Sequence, residues 1–262
     1  MRHLPNLLTL ANLFCGCLAI VCVLNAQPLL MSNPETGAPS IEWSWIHGVE
    51  EMALGSLLIF MAGLFDLLDG FVARALKVFS PIGADLDSLA DVVSFGVAPA
   101  MILYKMLWDV MASNSDLNIL YLSPAILVAC FAALRLARFN VTPAKKGEFT
   151  GMPTPATGIL VASLALVNWF QPAGWIKYLQ SQWALYALIA VLCFLMVSKI
   201  RFLKLMPAKW NLKYSWPQAI IVLATVVAIP LISFSAIPFA FAVYIIVSLI
   251  APKNKEELGI GN

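Results

Sequence analysis

The chain has 262 residues, 61% of them hydrophobic and 11% charged, with a formal net charge of +2 and a mean hydropathy of +0.87. Soluble domains carry about 45–50% apolar residues, and here the excess is gathered into runs of about 18 or more, the length that crosses a bilayer as a helix. That pattern excludes a soluble globular domain and predicts an integral membrane protein, and so small a net charge gives no reason to expect a nucleic-acid partner.

The apolar runs predict an all-α polytopic bundle of eight transmembrane helices, at about 7–26, 52–72, 90–108, 119–138, 155–171, 180–198, 216–233 and 235–250. The opening stretch, MRHLPNLLTLANLFCGCLAIVCVLNA, has the basic tip of a signal peptide and Ala26 at a possible cleavage point. Its apolar run exceeds the roughly 7–15 residues of a signal core, so it reads as a retained first span. Residues 27–50 form an outer loop whose Pro, Gly and Ser mark turns, with Trp43 and Trp45 as interfacial aromatics. The loop 139–155, after the fourth span, and the basic stretch 198–216, after the sixth, fall on the opposite, cytoplasmic side. The last two spans are divided by IPLISFSAIP, a very tight reversal between Pro230 and Pro238. One broken helix there gives seven spans and moves the C-terminus across the membrane.

Positive charge favours eight spans. With the N-terminus cytoplasmic, 14 of the 16 Lys and Arg residues fall on the cytoplasmic side, leaving Lys105 and Lys177 outside, as the positive-inside rule requires. Both termini are then cytoplasmic. No internal repeat or low-complexity tract divides the chain, so residues 1–262 read as a single membrane domain. The five cysteines, Cys15, Cys17, Cys22, Cys130 and Cys193, all lie inside predicted spans, without zinc-ligand spacing, and read as small apolar residues.

Against this background the segment FDLLDGFVARALKVFSPIGADLDSLAD, residues 65–91, holds Asp66, Asp69, Asp85, Asp87 and Asp91, five of the 14 acidic residues. A carboxylate at a membrane helix centre is disfavoured by about 2.5–3.5 kcal/mol, and several held together repel one another. Arg74 and Lys77 are the only nearby basic residues, so bound divalent cations are the economical counter-charge. Asp66 and Asp69 stand at i,i+3 and Asp87 and Asp91 at i,i+4, so each pair shares a helix face. SPIG, with Pro81 and Gly83, reads as the turn that brings the second helix back beside the first. Four carboxylates facing across a helical hairpin suit two Mg²⁺ or Mn²⁺ ions, and two-metal sites serve in-line phosphoryl displacement. Gly70 and Ala73 leave room for a ligand, and Arg74 offers a planar fork for phosphate. Asp85, off the pattern, reads as compensation of a helix dipole.

The residues Asp66, Asp69, Gly70, Ala73, Arg74, Gly83, Asp87 and Asp91 make the pattern D-x2-D-G-x2-A-R-x8-G-x3-D-x3-D, which resembles the defining motif of the CDP-alcohol phosphotransferase family at every fixed position. PNLLTLANLFCG, SLADVVSFGVAPA, LRLARFNV and FTGMPTPA resemble the membrane-integral, serine-using branch of that family. The resemblance implies a catalytic core at about 5–200, two additional C-terminal helices at about 216–250, and a homodimer. It also implies the reaction CDP-diacylglycerol + L-serine → phosphatidylserine + CMP, at a site facing the cytoplasm. By the same resemblance Asp66, Asp69 and Asp87 hold metal, while Asp91 lies at the metal site and acts as general base. Asp66, Asp69, Gly70, Ala73, Arg74 and Gly83 bind the nucleotide. For serine and its phosphate, the candidates are Arg135, Arg138 and Asn140 at the end of the fourth span, with Asn6, Thr9 and Asn12 on the first. Lys199, Arg201 and Lys204 read as anchoring. Other acceptors (glycerol 3-phosphate, inositol phosphate or choline) remain open at this level, as does a cation- or proton-coupled transporter.

Overall fold

The computed structural model describes residues 4–26, 30–32, 39–41, 48–76, 81–111, 118–141, 151–170, 175–198, 200, 223–225, 227–228 and 232–250. The first helix, α1, runs Leu4–Asn25 and buries Pro5, Thr9, Asn12, Gly16, Ala19 and Val23, a stripe at three- and four-residue steps. Its opposite face exposes Leu7, Leu10, Phe14, Leu18 and Val21. Small and polar residues inside with large apolar residues outside is the arrangement a lipid solvent favours, because close helix approach replaces hydrophobic exclusion as the packing force. A short antiparallel ribbon follows, β1 (Leu30–Ser32) on β2 (Pro39–Ile41), with Met31 opposite Ser40. Apart from this ribbon the described residues are helical, as the sequence leads one to expect; Trp43 and Trp45 lie outside the described residues.

The second helix, α2, runs Gly48–Leu76 and returns along α1, where a Cβ on Gly55 would stand 3.1 Å from the Ala19 carbonyl oxygen. Its 29 residues extend roughly 44 Å at 1.5 Å per residue, more than the about 30 Å of bilayer hydrocarbon. One end can therefore carry carboxylates beyond the hydrocarbon while the rest spans it.

The third helix begins at Pro81, nine residues before the span expected from hydropathy, because its first turns are acidic and escape an apolar window. It comprises α3 (Pro81–Asp91), a π-helical segment (Val92–Val97) and α4 (Ala98–Met111). Pro81 opens the helix, where a missing N–H is harmless. Gly83 therefore sits inside the first helical turns, which corrects its assignment to the connecting turn. The Ala98 N–H bonds to the Val93 carbonyl, the i→i−5 spacing of a π-bulge. This helix is the hub of the bundle: 56% of its apolar window is buried, against 28–33% for the other three long helices. Phe95, fully buried, sits where Gly158 of a later helix comes so close that a Cβ would stand 3.0 Å from the Phe95 Cα.

Around the hub stand α5 (Ile119–Leu122), continued by a 3-10 turn into α6 (Leu127–Val141), then α7 (Thr154–Phe170), α8 (Gln182–Val197) and α9 (Ala236–Ile250). Before α7, Gly151 adopts φ +83°, and a Cβ there would strike the Met196 carbonyl oxygen. Its N–H bonds to the Ile200 carbonyl at 2.8 Å and that of Met152 to the Leu195 carbonyl at 2.9 Å, fixing the start of α7 to the end of α8. Among the described residues, Leu4–Asn25, Glu51–Leu76, Ile82–Met111 and Ile119–Val141 are long and apolar enough to cross a membrane, and three shorter apolar helices accompany them. Six of the expected spans fall on these helices, as does the last on α9. Most of the 216–233 span lies outside the described residues. The five cysteines are free and all lie within helices, Cys15 and Cys193 buried.

Candidate active site

The α2 helix presents Asp66 and Asp69 from successive turns, and α3 presents Asp87 and Asp91 likewise. Asp66, Asp69 and Asp87 each offer one carboxylate oxygen, and these oxygens lie within 4.8 Å of one another. At that separation each pair of charges repels by roughly 3–4 kcal/mol at an effective dielectric of about 20. Asp85 is exposed, off the cluster as its spacing predicts. The donor set fits a hard divalent cation: it is all oxygen, and Asp87 Oδ1 is buried with no hydrogen-bond partner among the described residues. A buried carboxylate oxygen left so calls for a positive partner.

Asp91 lies beside the three, within electrostatic reach of each. It is buried, at 7% exposure, and its Oδ1 accepts a hydrogen bond of 3.3 Å from Asn12 Nδ2. One turn earlier on α1, the Thr9 hydroxyl lies 2.7 Å from Asp69 Oδ2 and 3.1 Å from the Pro5 carbonyl oxygen. The inner stripe of α1 thus braces one aspartate of each pair. Asn6, half-buried, sits a turn before Thr9. The Ser94 hydroxyl in the π-segment donates to the Asn12 carbonyl at 3.0 Å, and only a glycine at position 16 lets the two backbones approach, since a Cβ there would stand 2.8 Å from the Ser94 Cα.

Next to the cluster, Gly70 leaves an open face: among the described residues a Cβ would meet only the Arg74 guanidinium, at 3.7 and 3.8 Å. Arg74 itself is exposed and Ala73 half-buried. From α6, Arg135 is half-buried and donates from Nη1 to the Thr154 hydroxyl at 3.0 Å, with its Nε buried and unpartnered among the described residues. It lies within electrostatic reach of Asp91. Asn140, exposed, donates to the Ser88 hydroxyl at 2.9 Å, which ties the end of α6 to α3. Arg138 is exposed. The sequence leaves Ser88, Ser94 and Thr154 without a role, although all three lie in SLADVVSFGVAPA and FTGMPTPA. Their signal is only a hydroxyl in an apolar run, which does not say what it will meet.

The arrangement supplies a hard-cation site of three carboxylates, a fourth carboxylate held beside it, an open backbone face with a guanidinium, and a second guanidinium with unused donors. Such a set suits the binding of a phosphoanhydride and the activation of a hydroxyl. Residues 2–196 match the model of a family described as CDP-alcohol phosphatidyltransferase. Several similar proteins bear the name CDP-diacylglycerol–serine O-phosphatidyltransferase. The chain is 42% identical to one from Methanocaldococcus jannaschii over 125 residues, 47% of this chain and 57% of that protein. It is 32% identical to one from Bacillus subtilis over 212 residues, 77% of this chain and 90% of the relative. To one from Helicobacter pylori strain 26695 it is 28% identical over 263 residues, covering 96% of each.

Proposed function

The chain belongs to the CDP-alcohol phosphatidyltransferase family, and from that premise we propose that it transfers the phosphatidyl group of CDP-diacylglycerol to L-serine, giving phosphatidylserine and CMP. The observation that carries this reading is the convergence of Asp66, Asp69 and Asp87 beside a buried Asp91. The names of relatives aligned over most of their length supply the serine.

Asp66, Asp69 and Asp87, with Asp91 at the same site, would hold divalent cations, two Mg²⁺ or Mn²⁺. Such ions would supply charge neutralisation for phosphoryl displacement. Gly70 and Ala73 admit the cytidine nucleotide to the helix backbone, Gly83 borders it from α3, and Arg74 forks onto a phosphate. Arg135, braced by Thr154, turns its remaining donors to the serine carboxylate, a bidentate contact that suits a guanidinium. Asn140 and Arg138 line the approach.

Asp91 takes the proton of the serine hydroxyl as its oxygen forms a bond to the phosphorus bearing diacylglycerol. The phosphoanhydride bond to CMP breaks, and its electron pair leaves on the CMP phosphate. An aspartate is a weak base for a hydroxyl, so the proton moves late in bond formation. The 14-to-2 division of basic residues supports eight spans with both termini and the site on the cytoplasmic side, and the family resemblance supports a homodimer.

The test is a side-by-side assay of purified protein with CDP-diacylglycerol and each alcohol in turn. Serine is expected to release CMP well above glycerol 3-phosphate, inositol phosphate or choline. Release with one of those and none with serine overturns the acceptor while leaving the family intact.

A further inference from the structure

The family match ends at residue 196, yet the last helix brings a polar side chain to a residue of the site. A hydrogen bond of 3.1 Å from the Trp175 indole to the Ser235 hydroxyl fixes the turn before α9, and from there α9 packs along α7. In its otherwise apolar sequence, AIPFAFAVYIIVSLI, Tyr244 and Ser248 carry the hydroxyls, one turn apart. Both are buried, Tyr244 to 3% exposure, and the two hydroxyls are hydrogen-bonded to each other. Polar groups of a membrane helix turn inward to meet partners. Here the Tyr244 phenol lies within electrostatic reach of the Arg135 guanidinium. Arg135 reaches α7 as well, where Thr154, its first residue, occupies Nη1. That leaves the Nε edge, whose N–H is buried and without a partner among the described residues. A buried donor left so calls for an acceptor, and a carboxylate is the acceptor that a guanidinium edge fits best.

We propose that Tyr244 completes the acceptor pocket, its phenol O–H and the Nε edge of Arg135 together holding the carboxylate of serine. A phenol suits the task because it donates a hydrogen bond without adding a charge to a membrane helix. Arg135 also lies within electrostatic reach of Asp91, so a serine anchored there by its carboxylate keeps its hydroxyl near that residue. An alcohol without a carboxylate would leave both donors unpaired, the arrangement by which a polar pocket rejects an analogue lacking the group it was built to bind. The last helix thereby takes part in acceptor choice. The inference rests on the reading of Arg135 as the residue that binds the serine carboxylate.

The experiment compares the purified full-length protein with Tyr244→Phe, Arg135→Lys and the double variant in a CMP-release assay. Three quantities are read: the KM for serine, the KM for CDP-diacylglycerol, and the thermal midpoint in detergent. Tyr244→Phe keeps the ring and removes the donor. It is expected to raise the KM for serine about tenfold, the worth of one hydrogen bond to a charged group, with the KM for CDP-diacylglycerol and the midpoint unchanged. In the Arg135→Lys background the same change should cost less, because the two residues hold one carboxylate. A Tyr244→Phe protein with the parent's KM for serine overturns the proposal, as does an equal rise in both KM values or a full additional loss in the double variant. A lowered midpoint without a selective rise in the KM for serine also overturns it, since Tyr244 would then serve packing alone. If instead Arg135→Lys leaves the KM for serine unchanged, the assignment of Arg135 fails and the pairing with it. A parent protein that releases no CMP with serine refutes the acceptor itself.

Discussion

On the proposed reading, Asp91 takes the acceptor proton and Arg135 binds serine, roles distinct from that of the three clustered aspartates. Asp91 is buried and held at one oxygen by Asn12. Asp91→Asn keeps that volume but removes the base, so kcat should fall by about 10²–10⁴-fold with CDP-diacylglycerol binding changed by less than a few-fold. Activity near wild type in a CMP-release assay would refute the role. Arg135 has Nη1 occupied by Thr154 and Nε unpartnered among the described residues. Lysine cannot reproduce a fork that bonds a hydroxyl and a carboxylate together. Arg135→Lys is therefore expected to raise the KM for serine about tenfold or more, equivalent to about 1.4 kcal/mol, with little change in the KM for CDP-diacylglycerol. A rise confined to the liponucleotide would place Arg135 elsewhere in the site. The aspartates were legible because carboxylates in an apolar chain are costly and their spacing names a helix face. The partners of Arg135 and Asn140 were not, because Thr154 and Ser88 lie 19 and 52 residues away in sequence.

At the scale of helices, the site depends on how closely α1 approaches the π-segment. Gly16 makes that approach possible, and a methyl group there would press on the Ser94 backbone at 2.8 Å. Alanine is the better helix former by about 1 kcal/mol, so the clash and the propensity oppose each other. A backbone atom does not yield as a flexible side chain does, and overpacking costs about 1–3 kcal/mol. Gly16→Ala should lower thermal stability in detergent and, by lifting Thr9 and Asn12 off Asp69 and Asp91, reduce kcat. A variant as stable and active as the parent would show that α1 has room to move. Hydropathy revealed the helices themselves. It could not reveal that the third begins at Pro81, because its first turns are acidic, nor that it carries a π-segment, which has no apolar period of its own. Gly83 was misread for a related reason: a Pro and Gly two residues apart signal a turn, but Pro81 here opens a helix.

Over the whole molecule, a helical bundle with a core that includes Phe95, Ile102 and Leu103 and with many large apolar side chains exposed holds two hydrophilic helix ends together. The charge asymmetry of the loops predicts which side that is. In sealed inside-out membrane vesicles, serine added outside should be converted without permeabilisation, whereas right-side-out vesicles should need detergent. The opposite pattern would invert the topology. The ribbon of β1 and β2 was not foreseen, since three-residue strands have no periodicity to read. The account as a whole rests on a cation-dependent transfer to serine at the aspartate cluster. Its most direct test is release of CMP from CDP-diacylglycerol by the purified protein, measured with and without L-serine, in Mg²⁺ or Mn²⁺ and in excess chelator. CMP release that requires both serine and a divalent ion is the predicted result. Serine-dependent release that persists undiminished in chelator, or no release with serine under any of these conditions, would contradict it.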